Sequence, residues 1–320
     1  MSSSTRKLLI TFGILLVVTI VWNSLERRRT TSRISSFEDV AIEEVTRIAI
    51  SGKGNDVTLE QRGGVWLITS PIEYPANQTL VEDLLGKVDE LATVNVVSSN
   101  PVNHDLFEVG AETGVLVQLY GGREGNRRMM SMFVGKMTSD FNHTFIRRFS
   151  EDDVHTASGL LNGYFNKTVS AWQDRTIFAL PAESITQLNV IGEEVDYTLA
   201  IRGIMSESPD VPWVIQSEEG LAEADSSKAM AIVRRVAGLS ASGFPEPGDL
   251  VDADWENPVI RIDGRLVDGS AIELRVCEIP GDSSRYYVRK SGDETVFLIY
   301  RSNLDPVLKQ REDLIVIEEG

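Results

Sequence analysis

The sequence predicts an α+β protein: an N-terminal transmembrane helix followed by two tandem repeats, each a mostly antiparallel sheet covered by a helix. Three observations predict it. One uncharged apolar run stands near the N-terminus, short alternating patterns are punctuated by glycine, and a strand–Trp strand–helix order returns in the second half of the chain.

The apolar run is Leu8 to Trp22, LLITFGILLVVTIVW. Its fifteen residues would rise roughly 22 Å as a helix, short of the ~30 Å hydrocarbon layer. Lys7 and Arg27 at its flanks can reach the headgroups, and Trp22 suits the interface. The arginines after Glu26 stand where a signal peptidase needs small residues, so an uncleaved anchor is expected rather than a cleaved leader or a buried soluble helix. Two basic residues precede the run and four arginines follow it. That bias alone leans toward a cytoplasmic body, but long domains translocate regardless of it, and charge leaves both orientations open.

Residues 1–36 are therefore read as anchor and polar linker, 37–180 as the first repeat and 181–320 as the second. In the first, EVTRIAI (Glu44 to Ile50) alternates as a half-buried strand does, and DVTLEQ and VWLIT follow around Gly63-Gly64. Asn77 is placed to cap a helix whose Leu80, Val81, Leu84, Leu85, Val88 and Leu91 form one apolar stripe. In the second, SITQLNV (Ser184 to Val190) answers EVTRIAI, Trp213 answers Trp66, and Ala224-Asp225 answers Ala76-Asn77. Ala229, Ile232, Val233, Val236 and Leu239 answer the helix stripe. TFIRR (Thr144 to Arg148) likewise answers YYVRK (Tyr286 to Lys290). About six strands are expected per half, with a second short helix near Ala157–Phe165 and near Asn303–Arg311.

Composition sets limits. With 320 residues, 42% hydrophobic and 25% charged, the chain can bury two cores. Net charge is −17, and because the segment up to Arg33 is basic, the body is more acidic still. Such a surface repels phosphate, so no nucleic-acid partner is expected. Cys277 is the sole cysteine, which excludes an internal disulfide.

These residues carry a resemblance. An apolar N-terminal span, an I-T-x-I-x-I-like strand, a Trp strand, a Pro-Ala-Asn/Asp helix start and a later Tyr-Val-Arg strand follow the order of the bacterial domain-of-unknown-function family 4340. The similarity covers most of the chain after about Glu43. Where that family has a Gly-Leu-Asp-x-Pro stretch, this sequence has EVGAETG, Glu108 to Gly114. The resemblance implies a single-pass protein of the bacterial inner membrane, its body outside the cytoplasm, working beside an ABC transport system of the gliding-motility type. It implies no catalytic residues and no cofactor.

A search for chemistry agrees with that. GLSASG (Gly238 to Gly243) follows a helix rather than a strand and is no nucleophile elbow. His104, His143 and His155 lack metal-ligand spacing, and His155 beside Asp152 and Asp153 reads first as a strand corner with solvated acids. DADWEN (Asp252 to Asn257) alternates carboxylates as a calcium loop does, but Pro258 follows and the glycine at the sixth position is missing. No catalytic, cofactor or metal residue is expected. Arg147 and Arg289, recurring at one place in the repeat, are the candidates for ligand or partner contact, against a structural duty within each repeat. The expected function is a membrane-anchored, non-enzymatic scaffold whose partner is an ABC transporter component or another envelope assembly. The alternatives are a glycan- or lipid-binding module with its site between the repeats and, more remotely, a hydrolase.

Overall fold

The computed structural model describes residues 40–122, 125–201, 213–246 and 251–316. The expected anchor, Leu8 to Trp22, lies outside the described residues. No helix among them is long and apolar enough to cross a membrane. The chain is α+β and its strands pair antiparallel in two sheets. It forms two compact units that divide between Trp172 and Gln173.

The first unit starts with a 3-10 turn at Ile42–Glu44 and the strands β1 (Val45–Ser51), β2 (Val57–Arg62), β3 (Val65–Ser70) and β4 (Tyr74–Pro75). Alternation decides the faces: Val45, Ile48 and Ile50 point into the core while Arg47 and Ala49 stay partly exposed. Gly63 and Gly64, both at positive φ, make the two-residue turn that joins β2 to β3 with the twist a hairpin needs. Helix α1 (Gln78–Asp89) follows, with Asn77 accepting from the Leu80 N–H at 3.0 Å as its cap. Gln78 ties the helix start to the Trp strand, accepting from the Trp66 N–H and donating to its carbonyl. Trp66 is buried with Val81, Leu84, Leu85 and Val88 of the helix in one core. Strands β5 (Thr93–Ser98), β6 (Val115–Gly121), β7 (Arg127–Met137), β8 (His143–Arg148) and β9 (Val154–Ser158) complete a nine-stranded sheet of order β4-β3-β2-β1-β6-β7-β8-β9-β5. Two short helices, α2 (Asn162–Phe165) and α3 (Val169–Trp172), close the unit.

The second unit holds β10 (Ile185–Gly192), β11 (Asp196–Ile201), β12 (Trp213–Ser217), β13 (Gly220–Glu223), helix α4 (Ser226–Ala237), and β14 (Ile260–Leu266), β15 (Ala271–Ile279), β16 (Asp282–Lys290) and β17 (Phe297–Tyr300). Short helices α5 (Arg301–Leu304) and α6 (Arg311–Leu314) end it. Its eight strands run β13-β12-β11-β10-β14-β15-β16-β17, the order of the first sheet without a counterpart of β5. Details coincide as well. The Ala76 N–H donates to the Trp66 carbonyl at 3.0 Å, and the Ala224 N–H to the Trp213 carbonyl at 2.9 Å. The cap residues Asn77 and Asp225 donate their N–H groups to the carbonyls of Trp172 and Leu314. Both first strands carry a bulge near their start, at Val45/Arg47 and Ile185/Gln187.

Two expectations about local structure need correction. Each sheet has more strands than the six expected, because β4 and β13 are short hairpin returns with little apolar pattern and β5 buries none of its residues. The second helix of the first unit does not begin at Ala157. Thr156 and Ala157 are buried as part of β9, the strand runs to Ser158, Gly159 turns it at positive φ, and helical turns appear only from Asn162. In the second unit, likewise, separate turns at Arg301–Leu304 and Arg311–Leu314 replace one helix over Asn303–Arg311.

Candidate functional site

Arg147 lies on β8 opposite Phe133 of β7, on the sheet face turned away from α1. A second, smaller core forms there from Val109, Phe133 and Val154, with Phe107, Leu116 and Phe145 against it. The segment between β5 and β6 crosses this face, and Gly135 lets it approach: a Cβ there would stand 2.2 Å from the Phe107 carbonyl oxygen. Arg147 secures the segment. Its Nε donates to the Val109 carbonyl at 3.0 Å, within the EVGAETG stretch, and its Nη1 to the Glu151 and Arg148 carbonyls at 2.9 and 3.3 Å. The guanidinium carbon sits 4.6 Å from the centre of the Phe133 ring. Burial lowers the pKa of this arginine, opposed by the charge of Asp152.

Arg289 occupies the matching place on β16. Its cross-strand neighbour is Arg275 on β15, whose neighbour in turn is Arg261 on β14. Three like charges abreast repel, and carboxylates intervene. Glu273 accepts from Arg275 Nε at 2.7 Å and lies 3.5 Å from Arg261 Nε, Asp263 accepts from Arg261 Nε at 3.0 Å, and Glu294 is 3.2 Å from Arg289 Nη1. The DADWEN segment lies on this row. Arg275 Nη1 donates to the Trp255 carbonyl at 2.9 Å, and the Arg289 guanidinium stands 4.7 Å from the Trp255 ring centre.

The other candidates fall into local roles. Asp254 accepts from the N–H groups of Glu256 and Asn257, both at 3.1 Å, and from the Asn257 side chain, which holds its carboxyl below the usual range. Its carboxylate thus shapes a turn within its own loop. The Cys277 thiol donates to the Asp254 carbonyl at 3.3 Å and is pushed up to about 11 by burial, far from thiolate chemistry. His104 Nε2 donates to the backbone carbonyl of Asp152 at 3.0 Å. His143 meets Asp140 at 3.1 Å, and that carboxyl is lowered to about 2, first by the Thr138 hydroxyl, then by the Asn142 N–H and His143. His155 is in β9, its pKa lowered by burial and partly restored by Asp153 and Glu151. The three histidines stand in separate settings, and no group of three or more His, Cys, Asp or Glu could hold a metal ion among the described residues.

Two clefts open beside the arginine row. One of about 230 Å³ is lined by Trp255, Glu273, Arg275, Arg289, Lys290 and the turn Ser291–Glu294. Arg289 Nε, buried there, has no hydrogen-bond partner among the described residues. The other, about 550 Å³, has Gln187, Asn189, Thr198, Arg261, Asp263 and Glu273 among its walls. Both alternate donors and acceptors, so their charge cancels locally. Sequence reasoning misses Trp255 and Phe133, on which the arginines rest. Phe133 falls in a run of four buried residues of β7, Met132 to Gly135, with no alternation to single it out, and nothing local marks Trp255 as a partner of a residue on β16.

The family model described as "Domain of unknown function (DUF4340)" matches residues 66–258. No curated protein and no solved structure matches the chain.

Proposed function

The chain belongs to the DUF4340 family, and on that premise we propose that it is a non-catalytic interaction protein anchored in the bacterial inner membrane by Leu8 to Trp22. In this reading its body lies outside the cytoplasm and attends an ABC-type transport system or another envelope assembly. The body is a tandem duplication: one α+β unit, its sheet covered by a helix, has been copied and the copies have diverged.

The observation that carries this reading is the use made of the recurring arginines. A catalytic or ligand-gripping arginine keeps donors aimed at the ligand. Arg147 instead directs its donors to main-chain carbonyls of two loops, and Arg289 lies on Trp255 and beside Glu294. Both hold a surface segment in a defined shape, which is what a docking protein requires. Solubilising membranes in mild detergent tests the proposal: a transporter component is expected to co-purify with the full chain. Recovery of the chain alone at every detergent and salt condition would overturn it. A compartment-sensitive reporter fused to Gly320 is expected to report from outside the cytoplasm.

A second reading, a module for a small polar ligand such as a glycan, is favoured by the unpartnered Arg289 Nε and the polar walls of the 550 Å³ cleft. Those walls suit hydroxyl groups better than a lipid tail. Saturable binding of a glycan, lost in Asn189→Leu and Arg261→Leu variants, would favour it over docking.

A further inference from the structure

Each sheet has two edges, and three of the four are blunted among the described residues. Strand β4 is two residues long and contains Pro75, which has no N–H to offer. Strand β13 contains Glu223, follows Glu218 and Glu219, and has its Glu223 carbonyl taken by the Val316 N–H. Strand β17 is covered by its own chain: the Leu298 N–H donates to the Gly243 carbonyl, and the Leu298 carbonyl accepts from Ser242. These are the usual protections of an edge: brevity, proline, charge or a cover.

Strand β5 has none of these four, although its pairing with β9 shifts register between Thr93 and Asn95 and between Val96 and Ser98. It pairs with β9 on one side, and no strand among the described residues pairs with the other. It is six residues long, and its Val94, Val96 and Val97 are 46%, 49% and 42% exposed. Val102 and Leu106, just beyond it, are 83% and 61% exposed. From Ala92 to Asn103 no residue is ionisable, in a chain where a quarter of residues are charged. A free edge with valines and no charge is a template for another strand.

We infer that β5 is the contact between two copies of this chain, paired antiparallel about a two-fold axis so that the sheet continues from one copy into the next. Charge selects the occupant. The body is strongly acidic, so a partner chosen by charge would be basic and would be met by acidic groups. The β5 edge offers none, and two such edges meet without opposing like charges. An isologous contact of this kind is also the commonest way identical chains associate. A single strand pair buries less than the roughly 1,200–2,000 Å² of a stable interface, so the dimer is weak and reversible. Because the contact is uncharged while the bodies repel, added salt strengthens it. The inference does not depend on the transporter reading.

Oxidative cross-linking of the full chain tests it. Val96→Cys, at the place where the two-fold axis sets the residue opposite its own copy, is expected to give a disulfide-linked dimer on treatment with copper phenanthroline, while Leu221→Cys on β13 stays monomeric. The native Cys277 is buried and contributes no background. Sedimentation of the full chain in detergent should show a dimer that tightens with salt. The double variant Val94→Lys, Val96→Lys should weaken it by roughly tenfold or more, with an unchanged far-UV circular dichroism spectrum. The inference is overturned by Val96→Cys remaining monomeric, by dimers that persist in the lysine variant, by dimers that salt dissolves, or by Val96→Cys cross-linking in membranes to a different protein.

Discussion

Replacing Arg147 by Met should cost about 1–3 kcal/mol of stability, since the buried carbonyl of Val109 loses its donor, whereas the exposed Glu151 carbonyl can turn to water. Replacing Arg289 should cost about 1 kcal/mol or less, because its side chain is 28% exposed and solvent screens its pair with Glu294. Urea denaturation of the two variants side by side checks the order. His155 makes a pH prediction. Burial lowers its pKa in the fold, so between that value and the unfolded value of about 6.5 the unfolded chain binds more protons. The stability due to keeping this imidazole neutral is therefore present above about pH 6.5 and is lost as pH falls through the lower, folded value. His155→Phe should flatten that acid-side loss in denaturation midpoints measured from about pH 7 to 5. These residues also show where the sequence stops being legible. The recurrence of Arg147 and Arg289 is visible in it, but their partners Val109 and Trp255 lie far along the chain on segments without periodicity. Spacing along one strand does not encode what crosses its face.

Elements are more legible where burial imposes a period. The stripes of α1 and α4 and the strands around Trp66 and Trp213 follow directly from apolar spacing and cap chemistry. The cap side chains accept from helix N–H groups, so Asn77→Ala and Asp225→Ala should each cost about 1 kcal/mol. Thermal unfolding of the two single variants, which should be alike, reads this directly. Strands β4, β5 and β13 are harder to see. A strand that is short, or that leaves its side chains in water, needs no alternation, and its place is set by hydrogen bonds to a neighbour rather than by its own pattern. Helix turns after β9 and β17 are single turns, too short for a 3.6-residue period to register.

At the scale of the whole molecule, charge is the property that any partner meets first. A chain of net −17 is expected to pass unretained through heparin or DNA columns at about 0.15 M salt, and retention there would overturn the expectation that it has no nucleic-acid partner. The sheet orders of the two units match strand for strand except at one end, where the first has β5 and the second has the chain at Ser242–Gly243 lying over β17. If the copies arose from one unit, that end is where they parted, and it is where the units differ in what they offer to other molecules.

The lone thiol draws one more consequence from the packing around β15. Held against the Asp254 carbonyl and kept protonated, Cys277 gives glutathione, oxidants and metal ions no purchase. The one cysteine therefore keeps its thiol form whether the surrounding is oxidising or reducing. Association with a neighbour through this thiol is then ruled out, and contact between molecules depends on their concentration rather than on redox chemistry.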